Sequence, residues 1–164
     1  MNNEDFKILT GYVLSYNSYP CLNTDLIEDW TMELINLGYE SDAVFMLASF
    51  SKPISYYEIE SYLKVVFREL NLIENDKLSA KKSLISYHLN EIVNLKRIRY
   101  NLTQFIDLYY DSDTDFEITD FYLLFHGWDE LEELGENYYY EGADLDNIEG
   151  IIIEKAKIWL EMKK

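Results

Sequence analysis

Between Tyr100 and Glu154 the chain carries sixteen Asp or Glu residues and no Lys or Arg. Unpaired carboxylates cost several kcal/mol each when buried, or protonate instead. Most of these sixteen must therefore lie on a surface. Every element built from this stretch can offer only one face to a core. Aromatics are threaded through it, Phe105, Phe116, Phe121, Phe125 and Trp128, with Tyr100, Tyr109, Tyr110, Tyr122 and the triplet Tyr138, Tyr139 and Tyr140, and such rings suit the hold on a basic partner.

The rest of the chain fits a globular helical protein. Its 164 residues suffice for one domain with a sizeable core, and 48% of them are apolar. Six glycines and two prolines are too few for a protein made of many strands and turns. One cysteine, Cys21, excludes an internal disulfide and a cysteine-rich zinc site. The N-terminus lacks the basic and apolar pattern of a signal peptide. No apolar run reaches bilayer-spanning length. A reducing, cytoplasmic location is expected. The net charge of −17 disfavours nucleic acid and anionic membrane as direct partners.

Periodicity predicts helices along the whole chain. Phe6, Leu9, Val13 and Tyr16 share a face over Glu4 to Tyr16, which the Asn17-to-Pro20 segment ends. Thr24 is the expected cap of a helix with the stripe Leu26, Ile27, Trp30, Leu34 and Leu37, closed by Gly38. Ser41 or Asp42 opens a short helix from Val44 to Phe50, stopped by Pro53. Ser55 and Glu58 have capping-box spacing ahead of Ile59, Tyr62, Leu63, Val66, Phe67 and Leu70. Glu60 and Lys64 are spaced to pair on the outer face of that helix.

Ser79 is the expected cap of the next stripe, Leu84, His88, Ile92 and Leu95. It continues in phase through Ile98, Leu102, Phe105, Ile106 and Tyr109. Asn101 with Gln104 reads as a second cap, so two helices should meet near Tyr100. Asp111 to Glu117 reads as a loop. Thr119 or Asp120 then opens a helix with Phe121, Leu124, Phe125, Trp128 and Leu131 inward, ended by Gly135. A tyrosine loop leads to Asp144 or Asp146, one of which caps a last helix carrying Ile148, Ile151, Ile152, Trp159 and Leu160. Lys155, Lys157, Lys163 and Lys164 lie late in that helix, where they complement its dipole. The expected architecture is all-α: a single domain over 1–164, a helical bundle or short stack of helical hairpins, with seven to eight helices.

Motifs for chemistry are tested and fall away. Asp111, Asp113 and Asp115 start like a calcium-binding loop, but Phe116 stands where the turn needs glycine and Tyr122 where it needs a bidentate acid. His88 lies on an apolar stripe and reads as a core or interface histidine. His126 has Asp129 or Glu130 within one helical turn to orient it, yet nothing supplies a nucleophile or oxyanion donor. Phosphate-binding loops and nucleophile elbows are absent. No metal, cofactor or catalytic residue is expected.

What remains is charge and tyrosine. A short, strongly acidic, tyrosine-rich helical chain without catalytic residues resembles the immunity proteins of bacterial toxin systems, including contact-dependent inhibition. The resemblance covers the layout of the whole chain and no single motif. It implies a cytoplasmic inhibitor of one cognate toxin domain, often a nuclease with a basic groove. The residues expected to meet a basic partner are Asp111, Asp113, Asp115, Glu117, Glu130, Glu133, Glu136, Tyr138, Tyr139, Glu141 and Asp144. They occupy the two loops flanking the Phe121 helix and its outer face. Three alternatives stay open: carboxylates that serve solubility, a helical adaptor or regulator whose binding ignores salt, and an enzyme of unfamiliar type using His126. Nine of the fourteen bases lie between Lys52 and Arg99, and the cluster Lys96, Arg97 and Arg99 abuts the acidic stretch. Internal pairing there would lower the charge available to a partner.

Overall fold

The computed structural model describes residues 2–19, 22–110 and 118–162. Among them are eight helices and no strand: α1 (Asn3–Val13), α2 (Leu26–Asn36), α3 (Asp42–Ala48), α4 (Tyr56–Glu69), α5 (Lys77–Val93), α6 (Ile98–Tyr110), α7 (Thr119–Leu134) and α8 (Ile148–Met162). The chain divides into two compact units, 1–84 and 85–164, with the division inside α5. Pro20, Cys21, the Asp111–Glu117 segment, Lys163 and Lys164 lie outside the described residues.

In the first unit α2 packs against α1 and α3, and α3 against α4. The predicted stripes supply the core: Leu9 and Val13 from α1, Ile27, Trp30 and Leu34 from α2, Ile59, Leu63, Val66 and Phe67 from α4. Burying each such aliphatic or aromatic side chain contributes roughly 1.5–3 kcal/mol. Leu37 departs from its stripe. It caps the C-terminus of α2 and is exposed, because the chain turns at Gly38 (φ +84°), where Tyr39 N–H bonds back to Leu34 O at 3.0 Å. Asn75, which follows α4, ties this unit together. Its Nδ2 donates to Gly11 O, Ser15 Oγ and Ser83 Oγ at 3.0, 3.0 and 3.2 Å, and its N–H to Leu14 O at 2.9 Å.

The caps follow the sequence reading only in part. Asn2 caps α1 by accepting from Asp5 N–H, and Ser41, not Asp42, caps α3. Thr24 does not cap α2. Its hydroxyl donates to Ile54 O, and neighbouring Asp25 accepts Ile54 N–H at 2.8 Å, so both side chains hold the approach to α4. Ser55 stands at the N-cap of α4 but its side chain makes no cap bond, and the capping box is not formed. The Glu60–Lys64 pair does form. At α5 the cap is Asp76, which accepts Ser79 N–H at 2.8 Å, while Ser79 sits inside the helix. That hydrogen bond holds the Asp76 carboxyl below its usual pKa, as an ionised cap requires.

In the second unit α7 packs against α6 and α8. Phe105 stacks on Phe121 at 5.0 Å, with Leu102, Leu108, Leu124, Leu131, Ile152 and Trp159 buried in the same unit. The α5–α6 break falls at 94–97, earlier than Asn101, and Leu95 and Arg97 adopt left-handed φ of 58° and 45°. Leu95 therefore leaves its stripe and is exposed. Asn101 is not a cap but a buried brace. Its Nδ2 donates to Lys96 O at 2.7 Å and Arg97 O at 3.3 Å, and its Oδ1 faces His88 Nδ1 at 2.9 Å. With the amide so oriented, Nδ1 of His88 carries the hydrogen. Burial pushes the His88 pKa down to about 4, as a core histidine requires.

Gly135 (φ +77°) ends α7 as read from the sequence. Of the two acids proposed to cap α8, Asp144 serves. Its Oδ1 accepts Asn147 N–H at 2.9 Å while Asn147 Oδ1 accepts Asp144 N–H at 2.9 Å. Lys155 does not act at its own helix end but reaches Asp120 on α7 at 2.7 Å.

Candidate functional site: an aromatic column with acidic edges

Residues Tyr122, His126, Glu130 and Glu133 recur at three and four positions on α7 and so share one face. Their rings assemble a column. Tyr109 of α6 stacks on Tyr122 at 4.2 Å and 15°. Tyr122 meets His126 edge-on at 4.6 Å, and His126 lies 5.2 Å from Tyr139 of the tyrosine loop. Tyr110 closes the end, its hydroxyl 2.9 Å from that of Tyr122. That hydrogen bond, with some burial, pushes the Tyr122 phenol up to about 12, so it stays neutral at any physiological pH.

The loop that brings Tyr139 to the column is set by Asn137. Its Oδ1 accepts Tyr140 N–H at 2.8 Å and its Nδ2 donates to Ala143 O at 2.7 Å. Beneath it lies Gly127. A β-carbon there would stand 3.1 Å from Asn137 Oδ1, so α7 is notched where the loop sits down. The triplet then divides by role. Tyr140 turns toward Lys155, whose ammonium lies 5.9 Å from its ring centre. Tyr139 joins the column, and Tyr138 stands 80% exposed. Tyr138 N–H donates to Glu130 at 2.9 Å and its hydroxyl to Glu136 at 2.7 Å, which holds the phenol above its usual pKa. Replacing Asn137 by alanine removes two part-buried hydrogen bonds. It is expected to cost about 1–2 kcal/mol locally and to raise amide exchange at Tyr140 without unfolding α7; unchanged exchange would refute this role.

Seven of the sequence-derived site residues are thus placed. Glu130, Glu136, Tyr138 and Tyr139 are joined through the hydrogen bonds and ring contact above. Glu133 shares the α7 face, and Glu141 is exposed in the loop. Asp144 is exposed too, but its carboxylate is engaged in capping α8. Asp111, Asp113, Asp115 and Glu117 lie outside the described residues. The column itself, Tyr109, Tyr110, Tyr122 and His126, was not singled out from sequence. The four-residue spacing of Tyr122, His126 and Glu130 was the available signal.

Neither Asp129 nor Glu130 orients His126. Asp129 is held by Arg99, and Glu130 by Tyr138. The Nε2 atom of His126 is shielded from solvent and has no hydrogen-bond partner among the described residues. The imidazole contributes a ring to the column.

Internal pairing neutralises a minority of the acidic stretch. Arg99 pairs with Asp129 and Glu132 while lying over the rings of Phe125 and Trp128, at 5.5 and 4.8 Å. Lys155 takes Asp120, and Lys96 turns away to Glu91. Of the sixteen acids, four lie outside the described residues and these three are paired. The other nine, Glu130, Glu133, Glu136 and Glu141 among them, have no ion-pair partner among the described residues. Among the described residues the column therefore has an acidic rim with no base paired into it. The described residues contain no group of acids, histidines or cysteines arranged to hold a metal, and no helix long and apolar enough to cross a membrane.

Compared with known proteins, the chain matches no family model, no curated protein and no solved structure.

Proposed function

We propose that this protein is a non-catalytic binding protein, an immunity protein that neutralises a cognate basic toxin domain by covering its active site in the bacterial cytoplasm. One observation carries the reading: unpaired carboxylates and exposed tyrosines occupy the same surface of α7 and its following loop. Carboxylates favour encounter with a basic groove, and their effect weakens with salt. Tyrosine rings hold what has docked, since large aromatics dominate binding energy and set the rate of dissociation. A nuclease toxin fits this chemistry, because its groove is built for phosphates and would accept carboxylates in their place.

The test is capture from the native cell extract at low and high salt, followed by affinity measurement on the recovered partner. Replacing Glu130, Glu133 and Glu136 together by glutamine is expected to slow association by about tenfold or more at low salt and to flatten its salt dependence. Replacing Tyr138 and Tyr139 by alanine is expected to speed dissociation by about tenfold or more. Recovery of a neutral or acidic partner regardless of salt would reject the reading. A second reading, a helical adaptor, draws on the first unit, where Met32, Leu37, Tyr39, Phe45 and Met46 are all exposed around the α2–α3 turn. Binding through those residues would be indifferent to salt and to both sets of substitutions.

A further inference from the structure

The second unit contains a cleft of about 590 Å³ away from the aromatic column. Its walls come from the α5–α6 turn, from Trp128 on α7 and from Glu149 and Ile153 on α8. Leu95, Ile98, Ile153 and Trp128 give it an apolar lining. Leu95 and Arg97 reach it from left-handed backbone, a conformation that costs non-glycine residues roughly 1–2 kcal/mol each. Asn101 holds that turn by binding the carbonyls of Lys96 and Arg97. The strain has a visible result: an apolar side chain and a guanidinium stand at the cleft instead of continuing the helix.

The charges of the cleft are unequal in their engagement. Arg99 is already satisfied by Asp129 and Glu132. Arg97 lies over the ring of Tyr100 at 4.4 Å, which pre-orients its planar fork, and has no ion-pair partner among the described residues. Glu149 likewise has none. One open cation and one open anion thus face the same apolar lining. A simple anion would meet the field of a chain at −17, and a simple cation would leave Arg97 unanswered. We infer that the cleft binds a small zwitterion with an apolar body: its carboxylate on Arg97, its ammonium on Glu149, its side chain against Ile98, Ile153 and Trp128. Free apolar amino acids and short apolar peptides both carry this chemistry.

The test is an NMR titration of the full-length protein, reading the Arg97 side-chain and Trp128 indole N–H signals. The probes are L-leucine, trileucine, N-acetyl-leucine and leucinamide. Leucine or trileucine is expected to give saturable shifts confined to the cleft, and whichever binds tighter identifies the free amino acid or the peptide as the ligand. Blocking either terminus should weaken binding by about tenfold or more, as loss of one charge-assisted contact requires. Arg97→Gln and Glu149→Gln should each do the same to the unblocked ligand. No saturable shift up to about 10 mM, or equal binding of the blocked compounds, would overturn the proposal. The wild-type titration decides it even if a variant fails to fold.

Discussion

Replacing Trp30 by alanine is expected to lower the stability of the first unit by about 4 kcal/mol. The indole is fully buried, at 0% exposure. It joins three helices: its Nε1–H donates to Thr10 Oγ1 on α1 at 3.1 Å, and it meets Phe67 of α4 edge-on at 6.0 Å and 71°. Alanine would remove the ring from between them and leave a cavity that three helices cannot close together. A domain of this size has only about 5–15 kcal/mol in total, so the loss is a large share of it. Trp30→Phe keeps most of the apolar volume and forfeits the hydrogen bond, and should cost about 1–2 kcal/mol. Urea unfolding followed by NMR signals of α2 and α4 measures both. Equal midpoints for the two variants would show that packing at Trp30 is not what holds these helices.

Asn101→Ala is expected to destabilise the second unit by about 3 kcal/mol, because it strips a buried imidazole and the Lys96 carbonyl of their side-chain partner at once, while Arg97 O keeps only the Asn101 N–H. The same brace makes stability depend on pH through His88. The unfolded imidazole takes up its proton near 6.5, and the folded one near 4. Between those values the unfolded state binds more protons. The contribution of His88 is therefore complete above pH 6.5 and is lost as the pH falls toward 4, by about 3 kcal/mol. Subtracting the pH profile of His88→Gln from that of the wild type isolates this effect from the many carboxylates. A difference that stays flat from pH 7 to 4 would refute the buried neutral histidine.

Much of the helical layout was legible because apolar side chains at three- and four-residue spacing have one way to be buried. Leu37 apart, the stripes of α2, α4, α7 and α8 face inward where their sequence places them, and Gly38 and Gly135 end helices because they carry positive φ without strain. Caps were legible only in part. A Ser, Thr, Asp or Asn near a helix start has several possible partners, and the nearest in space wins. Thr24 found Ile54, Asp76 displaced Ser79, and Asn101 was drawn inside to His88.

The sequence by itself determined that this chain is helical and that its acids exceed its bases, since both follow from local spacing and counting. Which acids keep their charge open was decided by packing. Arg99 reaches across to α7 and silences Asp129 and Glu132, whereas Glu130, Glu133 and Glu136 have no ion-pair partner among the described residues. The aromatic column was likewise a matter of tertiary structure. Tyr109, Tyr122, His126 and Tyr139 come from two helices and a loop, and they meet only because α6 packs on α7 and Asn137 folds the loop down over Gly127. Contacts between elements distant in sequence depend on how helices pack, and no local period encodes that.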